Sequence, residues 1–338
     1  MLHITFRKVA KPLITAALLL AAATANSPPL LAGPPGPDTL APDVPPVPEP
    51  LFTLDVNLGV EPPTLDPALA TDTASVNVIE NLFLGLTDLD EEGNVEPELA
   101  THWEASVGGS VYTFHLRDDV KWVRYSPDIG FSVLRPVTAY DVEYGVKRTL
   151  DPRTGSDYAY ALYIIEGAVA LNMADPDALS EEELQALIDA VGVRALDATT
   201  VEFRLEYPAG YFPGIVSMWM ARPQPQEAIE AHGDAWIEPE NIITNGPYAL
   251  AEWVHDSRMT LVKNPHFYDA DNVQIDRVRL QMITTSSTAL AMYEANELDT
   301  VSPPPTDRLK TDLVLSKELH IAPCDCTYYY GFTNTKPP

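Results

Sequence analysis

Cys324 and Cys326 are the chain's two cysteines, and with Asp325 between them they form a C-x-C run. Such a run could chelate a metal or close a strained local disulfide. One pair, however, builds neither a disulfide framework nor a four-ligand zinc site. A structural or unpaired role suits it better. The seven histidines stand at 3, 102, 115, 232, 255, 266 and 320, scattered and without metal-ligand spacing. His115 alternates with Thr113 and Arg117 along one strand face, where solvation is expected. No G-x-S-x-G elbow, H-E-x-x-H helix or G-x-x-x-x-G-K-S/T loop occurs in the sequence. With 49 acidic residues, chance carboxylate pairs are everywhere, so spacing does not single out a glycosidase-type acid and base. Asp88 to Gly93 opens like a calcium loop, yet Leu99 stands at the twelfth position where a bidentate Glu is required. A tight turn between two short strands is expected there instead, and no metal or cofactor is expected anywhere.

Tyrosines are more informative. Tyr158, Tyr160 and Tyr163 cluster after Asp151-Pro152, and Tyr328-Tyr329-Tyr330 follows Cys326. Neighbouring tyrosines on a strand point to opposite sides, so part of the triplet must face something other than a core. A large apolar body with a polar tip suits a wet binding cleft. Ordinary packing is the competing explanation.

The chain that must position these residues has 338 residues, with 49 acids against 21 bases and a net charge of −28. That balance argues against gripping nucleic acid through phosphates. A hydrophobic content of 46% excludes wholesale disorder. Residues 1–25 read as a signal peptide. Arg7, Lys8 and Lys11 precede an apolar run from Leu13 to Ala23, and Ala23-Thr24-Ala25 offers a cleavage site before Asn26. The apolar run is shorter than the ~20 residues a bilayer core needs. Leu30-Leu31-Ala32-Gly33 looks like a lipoprotein box, but Pro34 stands where the lipid-bearing cysteine would be, so no lipid anchor is expected. Residues 26–50 form a proline-rich linker, with ten prolines between Pro28 and Pro50 that favour extended chain over a core.

From Leu51 the pattern is mixed α/β. A strand is expected over 51–58 and a helix from Ser75, taken as N-cap, through Leu86. Further strands are expected over 111–117, 200–205, 248–254, 259–263 and 278–282. Helices are expected from Thr138 to about Leu150, from a Ser180/Glu183 capping box to a stop at Gly192, and near 288–295. Asn245-Gly246-Pro247 reads as a sharp corner with Gly246 at positive φ, and Asn296 as a left-handed cap.

The order of several stretches resembles the family 5 extracellular solute-binding proteins of ABC importers, the peptide and oligopeptide receptors. They include Pro63-Thr64-Leu65-Asp66-Pro67, Asn81 to Leu86, Pro97 to Trp103, and Tyr112 to Arg117 with Val120-Lys121-Trp122. Pro136 to Val142, Gly192 to Asp197, Thr244 to Tyr248, Lys263 to Tyr268 and Cys326 to Tyr330 continue the series. One departure is a longer loop over 123–135 between Trp122 and Pro136, expected to be a surface elaboration.

The resemblance implies an α/β, two-lobed, type II periplasmic-binding-protein-like fold with most of the second lobe missing. Lobe I would span 51–325 with an inserted subdomain at about 96–205, and 326–338 would begin the truncated lobe II. It implies a non-enzymatic, monomeric receptor in the periplasm or extracellular envelope, delivering a peptide ligand to ABC transporter permease subunits. Peptide backbone would add between the lobes like an extra strand. Thr71, Asp72 and Thr73 would offer backbone to the peptide, and Tyr158, Tyr328 and Tyr329 would line the cleft. The rivals are a secreted acidic hydrolase and a non-transporting fragment with an interaction or chaperone-like role. If lobe II is lacking, peptide binding by the 338-residue chain alone should be weak, and the surface around Tyr328 to Phe332 prone to association.

Overall fold

The structure is a computed structural model that describes residues 51–302 apart from residue 91. In chain order, β1 (Thr53–Asn57) leads through a proline-rich loop to α1 (Thr73–Leu82), then to the short pair β2 (Thr87–Leu89) and β3 (Val95–Pro97). Next come β4 (Ala100–Ala105), β5 (Val111–Leu116), β6 (Lys121–Ser126), β7 (Gly130–Pro136) and α2 (Ala139–Leu150). Two helices, α3 (Ala168–Asn172) and α4 (Glu181–Ala190), precede β8 (Val193–Asp197) and β9 (Thr200–Arg204). The chain continues through α5 (Phe212–Ile215), α6 (Gln226–His232), β10 (Tyr248–Val254), β11 (Arg258–Lys263), β12 (Arg277–Gln281) and α7 (Ser286–Glu294).

Two four-stranded sheets organise these elements. One has the order β1-β12-β11-β10, with its first pair parallel; the other has the order β4-β5-β9-β8 and is antiparallel. One core cluster includes Phe83, Phe114, Trp122, Phe203, Phe212, Trp236 and Tyr248, all nearly inaccessible to solvent. The alternation of β5 is strict: Tyr112, Phe114 and Leu116 face inward, while Val111, Thr113 and His115 face out. A period of two with one face buried pins the register, because a one-residue slip would expose every core side chain.

Helix ends follow local chemistry. Thr138 and Asp141 form a capping box at α2, and Ser180 and Glu183 form another at α4. The N-cap of α1 is Asp72 rather than Ser75: its carboxylate accepts the Ser75 N–H at 3.0 Å and the Ser75 hydroxyl at 2.6 Å. Gly192 does not end α4 through a left-handed turn. Val191 leaves the helix with φ −63° and ψ 131°, and Gly192 is glycine because a Cβ would meet the Arg204 carbonyl oxygen at 2.6 Å. Asn296 does take the left-handed conformation, at φ 60°.

The expected loop over 123–135 is a hairpin, β6–β7, turning at Pro127-Asp128 with Gly130 at φ 82°. Its tip and the middle of β7, Ser132 to Leu134, lie at the surface, whereas β6 near its start is core. Trp122 and Val123 are fully buried, and Val123 exchanges backbone hydrogen bonds with Thr244 at 2.8 and 2.9 Å. Gly246 is likewise not at positive φ. Its glycine requirement comes from proximity: a Cβ would lie 2.7 Å from the Leu82 carbonyl carbon and 2.8 Å from the Asn81 and Leu82 carbonyl oxygens. The turn expected at 88–93 is present between β2 and β3, with Asp90 accepting from the Glu92 and Asn94 N–H groups.

Candidate functional site

The stretch from Asp66 to Thr73 begins in a buried polar hub. The Asp66 carboxylate receives both Arg148 terminal nitrogens at 2.8 and 2.6 Å, the Trp236 indole N–H at 2.9 Å and the Ala68 N–H at 2.9 Å. Its carbonyl accepts from Leu69 and Ala70. Arg148 also donates to the Gln224 side-chain oxygen at 2.6 Å. Burial works against the charge on Arg148, but the Asp66 carboxylate outweighs it and holds the guanidinium above its ordinary pKa. The loop is therefore rigid up to Ala70. Beyond it Thr71 and Thr73 are exposed and Asp72 is half-buried as the cap of α1.

Facing this segment is an aromatic group. Tyr158, half-buried, precedes a short 3-10 turn (Ala159–Leu162), with the exposed Tyr160 ring 5.6 Å away. Its other neighbour is Trp219, at a centroid distance of 4.9 Å and an angle of 59°. Trp219 opens a second 3-10 turn (Trp219–Ala221) that is fixed from below. Thr149 donates to the Met220 carbonyl at 2.9 Å, and the buried Arg222 donates to the Phe83 carbonyl. The Trp219 indole N–H then donates to the Ala70 carbonyl at 2.9 Å.

Trp219 thus joins Tyr158 to Ala70, the residue before Thr71, and links the neighbourhoods of two expected site positions 87 residues apart in sequence. Trp219 lies outside both tyrosine clusters. The available signal was an indole N–H needing an acceptor in the Met218-Trp219-Met220 run. Tyr163 takes a structural part, its hydroxyl bonded to the Asn172 side chain at 2.7 Å. Tyr328, Tyr329, Cys324 and Cys326 lie outside the described residues. Around this bridge Thr71, Thr73 and Tyr160 are exposed and Tyr158 and Trp219 are half-buried, so hydroxyls and aromatic faces stand open near Ala70.

A depression of about 460 Å³ elsewhere is lined by Arg135, Tyr140, Tyr144 and Glu227 among others. Its cation is already committed: Arg135 bridges Asp141 at 2.6 Å and Glu227 at 2.7 Å. Among the described residues no helix is long and apolar enough to cross a membrane.

Comparison with known proteins agrees with this architecture. The oligopeptide-binding protein OppA of Bacillus subtilis is 35% identical over 292 residues, covering 84% of this chain and 50% of the relative. The structure of Burkholderia pseudomallei OppA superposes with a TM-score of 0.69 at 33% identity, over 79% of this chain and 49% of that one. Haemophilus influenzae OppA, solved in complex with RPPGFSPFR, gives 0.68 at 28% identity, over 78% and 49%. The chain spans about half the length of the curated relatives it matches. Residues 94–338 match the model described as bacterial extracellular solute-binding proteins, family 5 Middle. The chain belongs to the bacterial extracellular solute-binding proteins of family 5.

Proposed function

We propose that this protein is an extracytoplasmic receptor that binds peptides without a catalytic step and delivers them to the permease subunits of an ABC importer. The observation that carries this reading is the Trp219 bridge, in which one indole packs on Tyr158 and donates to the Ala70 carbonyl, next in the chain to the exposed Thr71. Main chain gives affinity without demanding a sequence, and aromatic faces accept varied side chains. Asp72 contributes by capping α1 and shaping the wall. Tyr328 and Tyr329 complete the cleft in this proposal, residues 51–325 with the insert at about 96–205 form the first lobe, and 326–338 begin the second. The names of the relatives, oligopeptide- and dipeptide-binding proteins among them, support the ligand class.

The test is fluorescence titration of the chain with a mixed peptide pool, followed by mass spectrometry of the peptides. A saturable change in tryptophan emission that disappears in Trp219→Phe, with peptides recovered intact, is the expected result. No saturable change, or a change that survives the substitution, overturns the assignment of this wall. Cleaved peptides would favour a hydrolase.

A further inference from the structure

On the outer face of the sheet β4-β5-β9-β8, two histidines from consecutive strands meet. Their meeting depends on an irregularity in the β4–β5 ladder. Ala100 pairs with Leu116 and His102 with His115, so Thr101 is an extra residue on β4. In an unbroken ladder His102 would oppose Phe114, whose side chain is fully buried, and would point into the core. The bulge turns His102 outward and places Trp103 opposite Phe114 instead. Glu104, two residues along, shares the outer face with His102.

The resulting cluster has the makings of a coordination site. The His102 and His115 rings stack at 4.4 Å with planes 12° apart. His102, Glu104 and His115 each offer one ligand atom within 4.8 Å of the others. Donors bound to one ion at about 2.0–2.2 Å stand somewhat closer, a distance that side-chain rotation alone can cover.

Thr101 supplies the supporting contact. Its hydroxyl donates to the His115 carbonyl at 3.0 Å and lies 3.0 Å from His102 Nδ1. With its single hydrogen used on the carbonyl, the hydroxyl accepts from Nδ1–H, and this tautomer leaves the His102 Nε2 lone pair for a ligand. Glu202 lies beyond Thr113 on the same face and is held by Arg204 at 3.0 Å, so the remaining positions fall to water.

We propose that the β4–β5 hairpin binds a divalent transition-metal ion, zinc in the first instance, through His102 Nε2, a Glu104 carboxylate oxygen and a ring nitrogen of His115. Two imidazoles and a carboxylate are a borderline-soft donor set that suits zinc or copper and not magnesium. The site exists only when the bulged ladder is formed, so the ion also stabilises the folded chain.

Calorimetric titration with zinc sulfate tests this, using the full 338-residue chain with Cys324→Ser and Cys326→Ser so that the C-x-C run cannot contribute. One saturable site of micromolar or tighter affinity is expected, with no competition from excess magnesium. His102→Ala and His115→Ala should each weaken it by tenfold or more, and Thr101→Val by about tenfold through loss of ring orientation. His255→Ala should change nothing. Absence of saturable binding, or binding that persists in the His102/His115 double variant, overturns the proposal. Should a variant melt lower without metal, zinc-induced shifts of the two ring resonances in the parent chain decide instead, and unshifted rings reject the site.

Discussion

One loop, running from Glu61 to Asp66, is fastened at both ends by a carboxylate, and the two fastenings use nearly the same parts. Asp66 receives an arginine, a tryptophan indole N–H and a backbone N–H. Glu61 receives His255 Nδ1 at 2.8 Å, the Trp253 indole at 2.9 Å and the Asp256 N–H at 2.9 Å. Their surroundings differ. The Asp66 side chain is 4% exposed and Arg148 16%, whereas His255 is 54% exposed and Glu61 24%. Breaking a buried pair strands a charge that water cannot reach, while an exposed pair simply resolvates. The inner clasp therefore holds the approach to Thr71, and the outer one trims the loop at modest gain.

The largest expected effect comes from cutting the inner clasp. Asp66→Ala removes the only carboxylate bonded to Arg148, leaving it the Gln224 hydrogen bond alone, and strips the Trp236 N–H of its acceptor, so denaturant unfolding should record a loss of about 3–5 kcal/mol. Packing without charge provides an intermediate case at the other face of the same core. Gly246→Ala forces a methyl group against the Leu82 backbone and should cost roughly 1–3 kcal/mol by the same measurement. Cutting the outer clasp with Glu61→Gln should cost under about 1 kcal/mol. A loss there equal to that of Asp66→Ala would show that burial does not separate the two.

The smallest effect is a pH dependence. The hydrogen bond to Glu61 raises the His255 pKa above its ordinary value, against an opposing contribution from burial and with help from Glu238. A raised folded-state pKa means the stabilisation is complete below the unfolded value of about 6.5 and is lost as pH rises through the folded value. The melting temperature of the parent chain should therefore exceed that of His255→Gln most on the acidic side and converge with it in mild alkali. A gap that widens with pH would reverse the assignment.

Elements whose signals are local were legible in the sequence. The helix start at Thr138, the Ser180/Glu183 box, the alternation of β5 and the turn at Asp90 each depend on residues within a few positions of one another. The hairpin β6–β7 was missed although its Pro127-Asp128 turn is local, because a loop insertion explained the same residues equally well. Of the candidate site, Tyr158 and the segment Thr71 to Thr73 were visible as residues but not as neighbours. Trp219, which packs on Tyr158 and bonds Ala70, signalled itself only as an indole N–H in need of an acceptor.

By itself the sequence determined composition-level properties, element type and the periodicities that choose a core face, since these are sums over near neighbours. Tertiary structure alone decided which distant groups share a space. It made Gly246 necessary through the Leu82 backbone rather than through its own φ, and gave Asp66 a partner 82 residues away. It also turned His102 toward His115 by one extra residue in a ladder. The physical reason is range: backbone preference acts within a turn or two, whereas desolvation and close contact act between whatever the fold brings together.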